Sequence, residues 1–280
     1  MRRMLAECAS REMKKAVILA RGSGTRMRSP DASARLASDQ ARAADAGMKA
    51  MMPVGRPFLD FVLTALADAG IRQACLVVGP DHASIREYYQ SFSRRRIEVT
   101  FAIQEDPMGT ANALLAAQLF AAGDEFLVLN SDNYYPANVF QALRALGEPG
   151  LPAFERESLV RESNMSRERV RDYALLQIDA AGYLKRIVEK PREMPSAHDG
   201  NEVFVSMNCW RFDSAIFRAC ERVPRSARGE FELPEAVQFG LSSLGLRFKA
   251  VLSHTGVLDL TSRSDIAPVG HRLASIQVDL

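Results

Sequence analysis

The chain has 280 residues, and its 36 basic and 34 acidic side chains give a formal net charge of +2, so no global field directs it to nucleic acid or to an anionic membrane. Apolar residues make up 47% and charged residues 25%, which excludes wholesale disorder and allows a substantial core. Apolar runs such as Ala16 to Ala20 and Phe126 to Leu129 fall far short of the ~20 residues of a spanning helix. Met1 to Met13 carries Arg2 and Arg3 with no apolar stretch behind them, so no signal peptide is expected. Cys8, Cys75, Cys209 and Cys220 show no metal-site spacing and read as reduced thiols of a cytoplasmic protein.

Short β-rich runs alternate with helical patterns. Ala16–Ala20 predicts a strand, and Phe58–Ala69 a helix with Phe58, Phe61, Val62, Ala65 and Leu66 on one face and Gly70 as its stop. A strand over Ile71–Val78, a helix over Ile85–Phe92, a strand over Ile97–Ile103 and a helix over Thr110–Phe120 follow. Glu125–Leu129 reads as a strand and Pro136–Leu146 as a helix, so the first half is a βαβ series. Tyr173–Ile178 and Leu184–Val188 flank a turn at Asp179 to Gly182, and Val203–Arg211 reads as one further strand. Helices over Ser214–Arg222 and Leu233–Leu244 precede closing strands over Phe248–Leu252 and Val257–Leu260. Two charge-rich stretches, Ser29 to Gly47 and Glu155 to Asp172, read as solvated loops or exposed helices. The expected fold class is α/β, a Rossmann-like mixed but mainly parallel sheet with helices on both faces, as one domain of two lobes.

The run Leu19-Ala20-Arg21-Gly22-Ser23-Gly24-Thr25-Arg26-Met27-Arg28 leaves the first strand. Its glycines allow backbone N–H groups close to an anion, and a following helix N-terminus would add positive partial charge. A dinucleotide fingerprint would need a third glycine where Met27 stands, and a P-loop a Gly-Lys-Ser/Thr ending that Arg26 does not supply. Arg26 and Arg28 suit bidentate phosphate contacts instead. Gln104, followed by Gly109-Thr110-Ala111, can offer a donor and an acceptor to a base edge, or form a plain turn with Thr110 capping the next helix. Ser131-Asp132-Asn133 ends a buried strand with a carboxylate, and Asp259 ends a late one, where ligands gather in open α/β sheets. Aspartates near phosphates are natural Mg²⁺ ligands. His82, His198, His254 and His271 are scattered and read as structural or surface groups.

Together these segments resemble the sugar-1-phosphate nucleotidylyltransferase family, in the family's order, from Lys14 to about Ile266. The resemblance implies the nucleotide-diphospho-sugar transferase fold, with a nucleotide-binding lobe over 14–150, a sugar-phosphate lobe over 151–266 and an N-terminal extension over 1–13. It also implies that Leu19, Ala20, Gly22, Ser23, Gly24 and Thr25 wrap a nucleoside triphosphate, that Arg26 and Lys49 lie on its phosphates, and that Gln104, Gly109 and Thr110 read the base. Asp132 and Asp259 would hold Mg²⁺. Asn133, Ala174, Glu189, Lys190 and Asn208 would serve the sugar 1-phosphate, Lys190 on its phosphate. The partners implied are a nucleoside triphosphate and a sugar 1-phosphate, with no nucleic acid and no membrane; homo-oligomer formation is left open. The base segment looks more like the pyrimidine-using branches, so UTP or dTTP is expected.

Some positions depart from the family pattern. Arg21 stands where Ala or Gly is usual, Ser131 replaces a Gly, Ala174 follows Tyr173 in place of a Gly, and Thr261-Ser262-Arg263 replaces Gly-Thr-Pro. Lys49 follows Arg26 by 49 − 26 = 23 positions, over twice the usual gap. No hexapeptide repeat follows Asp259, so no acetyltransferase activity is expected. A non-catalytic nucleotide-sugar sensor on the same fold is the alternative, and RNA binding through Arg94-Arg95-Arg96 and the Glu155 to Asp172 stretch ranks last.

Overall fold

The computed structural model describes residues 12–91, 96–189 and 202–280. In chain order the strands are β1 (Lys15–Leu19), β2 (Gln73–Val78), β3 (Glu98–Ile103), β4 (Phe126–Asn130), β5 (Asn133–Tyr134), β6 (Gly150–Glu155), β7 (Ala174–Ile178), β8 (Leu184–Val188), β9 (Phe204–Ser206), β10 (Trp210–Phe212), β11 (Lys249–Ser253) and β12 (Leu258–Asp259). The helices are α1 (Thr25–Arg28), α2 (Ser38–Asp45), α3 (Phe58–Asp68), α4 (Ala83–Gln90), α5 (Thr110–Ala116), α6 (Gln118–Ala121), α7 (Ala137–Ala145), α8 (Arg156–Glu162), α9 (Arg167–Val170), α10 (Ala215–Arg222), α11 (Leu233–Ser243) and α12 (Ile266–Leu273). Among the described residues no helix is long and apolar enough to cross a membrane.

β3, β2, β1 and β4 lie side by side in parallel, and β10 joins β4 in the opposite sense. β10 passes the sheet on to β6, whose far edge takes β11 in parallel, while β9, β7 and β8 continue from β6 as an antiparallel branch. The sheet is mixed and mostly parallel, with helices on both faces, as the composition of the elements led one to expect. β1 shows why. Along Ala16-Val17-Ile18-Leu19 alternate side chains point to opposite faces. Ala16 and Ile18 enter a core with Phe58 and Leu66 of α3 and Phe140 of α7, whereas Val17 and Leu19 enter one with Leu114 of α5 and Phe217 of α10. Such a strand reads as a continuous apolar run because both its faces are covered.

Three readings are corrected, and one strand was missed. The expected strand Val203–Arg211 is two, β9 and β10, on one edge of β6. The five steps from Glu155 to Gly150 on β6 face seven from Phe204 to Arg211, so two extra residues bulge out at Met207-Asn208-Cys209. Asn208 takes φ +59 there, a left-handed turn that Asn tolerates better than most residues. β6 itself, buried along its whole length, was hidden by Pro152, since a proline argues against a central strand. The expected helix Thr110–Phe120 breaks at Ala117, where the N–H reaches back only to Leu114 O, and resumes as α6. Finally, Glu155 to Asp172 is not a solvated excursion. It forms α8 and α9, which bury Leu159 and Val170 in the core on the side of β1 that holds Ile18. The exposed α2 matches the expectation for Ser29 to Gly47.

Candidate active site

β1 and β4 run parallel with Leu19 opposite Asn130, so the loops leaving both strands open at the same edge. Ala20 N donates to Val77 O (2.8 Å) and Ser131 N to Leu19 O (3.1 Å), extending the ladder into those loops. Here a cleft of about 300 Å³ is lined by Leu19 to Ser23, Lys49, His82, Gln104, Gly109, Thr110, Asn130 to Asp132 and Glu230.

The loop after β1 turns on Gly24, at φ +63, the N-cap of α1. A Cβ on Gly24 would lie 2.3 Å from Gly47 O, and one on Gly47, at φ +70, 2.7 Å from Ser23 O. This mutual approach answers the long spacing between Arg26 and Lys49. Whatever length intervenes, Gly47 is seated on Gly24, Lys49 N donates to Gly47 O (3.0 Å), and a single 3₁₀ turn aims the lysine into the cleft. Lys49 Nζ there forms an ion pair with Asp132 Oδ2. The expected helix-end charge at the loop is corrected, because α1 has only four residues and a macrodipole needs aligned peptides over more than one turn. Arg26 is exposed and borders a separate shallow depression with Ser29, Asp31, Ser262 and Arg263.

Beyond the end of β3 Gln104 is buried, and its Nε2 donates to Gly109 O (3.1 Å) and Asn112 Oδ1 (2.7 Å). With both acceptors facing the NH₂ group, the amide orientation is set and Oε1 is left to accept. Gly109 takes φ +106, and a Cβ on it would meet Phe231 O at 2.5 Å. The segment before α11 presses on it there, with Phe231 N donating to Met108 O (2.8 Å) and Ala111 N to Phe231 O (2.8 Å). Thr110 does not cap α5; Gly109 holds the cap position, and Thr110 Oγ1 accepts from Leu233 N (2.8 Å). Arg21 joins the loops after β1 and β3. Its Nε donates to Gln104 O (2.6 Å) and its Nη2 to Glu105 O (2.8 Å). His82, read from sequence as structural, stands in the cleft wall, where burial first, then Arg21, Arg86 and Arg28 against the opposing pull of Asp81, hold its pKa below 6.5.

The two candidate metal carboxylates meet through a two-residue antiparallel pair, β5 with β12, in which Asp259 faces Asn133 and Leu260 N donates to Asp132 O (2.9 Å). Asp259 is 3% exposed. It accepts hydrogen bonds from Tyr173 Oη and, at 2.7 Å, from Thr261 Oγ1, and Arg169 Nη2 lies 2.9 Å from its Oδ2. Burial first, then the neighbouring Asp132, push its carboxyl above the usual range, against the pull of Arg169, Tyr173 and Thr261. A pair of carboxylates whose second charge is disfavoured fits a hard divalent cation, which would relieve that cost. Among the described residues no group of three or more His, Cys, Asp and Glu is placed to hold a metal ion.

The remaining expectations divide. Asn133, buried, opens β5 directly after Asp132, and Glu189 directly follows β8. Ala174 does not line the cleft but packs at the start of β7 with Leu176 and Ile187. Asn208 lies in the β9–β10 bulge, and Lys190 lies outside the described residues. Sequence reasoning missed Arg169, Asn164 and Glu230. The first two sit in a stretch whose mixed charges read as solvent-facing.

A family model described as nucleotidyl transferase matches residues 15–255. The UTP–glucose-1-phosphate uridylyltransferase AglF of Haloferax volcanii is 30% identical over 229 residues, covering 81% of this chain and 84% of that protein. A glucose-1-phosphate thymidylyltransferase of Streptomyces antibioticus is 27% identical over 225 residues, covering 80% of this chain but 56% of that protein, so the chain spans little more than half its length. Among solved structures, a UDP-glucose pyrophosphorylase complexed with UDP-glucose superposes with a TM-score of 0.72 at 16% identity, covering 95% of this chain and 100% of that one.

Proposed function

Because the chain belongs to the nucleotidyl transferase family, as a sugar-1-phosphate nucleotidylyltransferase, we propose that it joins UTP or dTTP to a sugar 1-phosphate, forming the nucleoside diphosphate sugar and releasing pyrophosphate. The observation that supports this most strongly is the convergence, at the ends of β1 and β4, of a glycine loop, Lys49 and Asp132 on one cleft, with the buried Asp259 brought next to Asp132 by the β5–β12 pair. The residues at 14–150 form the nucleotide lobe and those at 151–266 the sugar-phosphate lobe, behind an extension over 1–13. The readings of Leu19 to Thr25 as phosphate wrap and of Asn133, Ala174, Glu189, Lys190 and Asn208 as sugar-phosphate contacts belong to the same proposal.

The base choice rests on Gln104. Its free Oε1 matches the N3–H of uracil or thymine and opposes the N3 lone pair of cytosine. A sugar 1-phosphate is largely dianionic at pH 7, so no general base is needed to activate it. One of its oxygens forms the bond to the α-phosphorus as the bond from that phosphorus to the bridging oxygen breaks, and the electron pair leaves with pyrophosphate. Loop N–H groups at Gly22 and Ser23 hold the triphosphate in line. Lys49, drawn from Asp132 by the incoming phosphates, relieves the repulsion between the two anions, and Arg26, which borders the neighbouring depression, would add to this by turning toward the triphosphate. Mg²⁺ held by Asp132 and Asp259 would neutralise charge on the phosphate oxygens.

The test is pyrophosphate release with Mg²⁺, crossing UTP, dTTP, CTP, GTP and ATP with a panel of sugar 1-phosphates. Release that needs one pyrimidine nucleotide and one sugar together is the expected outcome. Silence across the whole grid from protein that binds UTP would favour a sensor instead.

A further inference from the structure

The carboxylates proposed to hold the divalent cation are not bare. Asp132 is paired with Lys49 and Asp259 with Arg169, which also holds Asp265, so three carboxylates already face two positive charges. Lys49 belongs to the cleft's phosphate side and can turn to an incoming triphosphate. Arg169 has no such second task evident. It comes from α9, inside the charge-rich stretch, and its side chain is 21% exposed.

Its guanidinium is held unequally. Nη1 donates to Asp265 Oδ1 at 2.5 Å, and Asp265 is fixed in turn by Thr261 N (3.0 Å), Ser262 N (2.6 Å) and Asn164 Nδ2 (3.3 Å). Nη2 lies 2.9 Å from Asp259 Oδ2 but is buried without a well-aligned hydrogen bond to any described residue. The first arm is a directed anchor; the second is attraction without a directed bond, and directed bonds are the costly ones to break. Asp259 keeps Tyr173 and Thr261 as donors if Nη2 leaves, so its position does not depend on Arg169.

We propose that Arg169 is a resident counter-ion of the metal site: it balances Asp259 while no divalent cation is bound, and its Nη2 arm must give way before both carboxylates can share one. This rests on reading Asp132 and Asp259 as the cation pair. With Asp265 counted, the cluster carries one net negative charge, so a free divalent cation would leave the pocket positive; the cation therefore binds weakly alone and enters with the polyanionic nucleotide. Arg169 therefore sets the order of loading and is a positioning residue rather than one that touches the reacting atoms.

The experiment is Mn²⁺ binding to the nucleotide-free protein, followed by the electron paramagnetic resonance signal of free Mn²⁺. Arg169→Met and Arg169→Gln are expected to bind Mn²⁺ about tenfold tighter or more, equivalent to ~1.4 kcal/mol. Arg169→Lys, which keeps the charge, should stay near the wild-type affinity. A merely structural role would not separate the neutral variants from the lysine one. Equal or weaker affinity in folded Arg169→Met, or a lysine variant that behaves like the methionine one, overturns the proposal. Asp132→Asn added to Arg169→Met should abolish the tightened site; if it does not, the cation-pair reading itself fails, and the proposal with it. Should the neutral variants not fold, nitrogen-15 arginine spectra of the wild type decide. The guanidinium signal absent from Arg169→Lys should shift when Mg²⁺ and UTP are added, and a signal unmoved at saturation overturns the proposal.

Discussion

The two walls of the cleft are built from different materials. The wall carried by β1 and β3 is backbone: Gly24 against Gly47, Gly109 against Phe231, and Arg21 spanning the loops through carbonyl oxygens. The floor and far side, carried by β5, β12, α8 and α9, are a web of charged side chains: Lys49–Asp132, Arg169–Asp259 and Arg169–Asp265. A backbone wall tolerates no added carbon and is insensitive to charge. A side-chain web tolerates changes of shape and responds to every charge removed.

The largest effect should come from the web. Asp132→Asn keeps the volume and removes the charge, so kcat for pyrophosphate release should drop by about 10²–10³-fold with little change in melting temperature. An unchanged kcat would take Asp132 out of the reaction. On the backbone wall the expectation reverses, and two neighbouring glycines make it sharp. Gly24→Ala combines a positive φ with a collision against Gly47 O and should cost about 1–3 kcal/mol of stability, read in a denaturant titration. Gly22→Ala meets nothing within 4 Å, so its stability should stay within about 0.5 kcal/mol of wild type while UTP binding, followed by calorimetry, weakens. Equal stability losses at the two positions would contradict the seating of Gly47 on Gly24.

A smaller effect is expected at Arg21. Arg21→Ala frees the Gln104–Glu105 segment and should raise the nucleotide KM by about tenfold with kcat nearly unchanged, because the loss falls on binding rather than on the transition state. The smallest concerns pH. Burial holds the folded-state pKa of His82 below 6.5, so as pH falls through 6.5 the unfolded chain takes up the proton first. The stabilising contribution is complete above about pH 6.5 and is lost as pH falls through the folded pKa. His82→Gln should flatten that limb of the melting temperature against pH, and an identical limb in the variant would assign it to other groups.

This contrast between walls also explains what was legible. Glycine loops announce themselves in sequence because their geometry excludes other residues, so Gly22, Gly24 and Gly109 stood out, as did the apolar runs of β1, β2 and β4 with both faces covered. Asp132 and Asp259 were legible by position at strand ends. Arg169 was not, because a buried ion pair and a solvated charge run have the same composition, and only the burial of Val170 and Leu159 beside it separates them. β6 was concealed by Pro152, and the β9–β10 break by Asn208, whose left-handed turn leaves no mark in an apolar strand pattern.

The central claim is attack by a sugar phosphate oxygen on the α-phosphorus in this cleft. Its most direct test uses the sugar 1-phosphate selected by the substrate panel, labelled with oxygen-18 at the three non-bridging phosphate oxygens, its unlabelled nucleoside triphosphate, and mass spectrometry of both products. All the label is expected in the nucleoside diphosphate sugar and none in pyrophosphate. Label in pyrophosphate, or a nucleoside monophosphate formed in place of the nucleotide sugar, would contradict it.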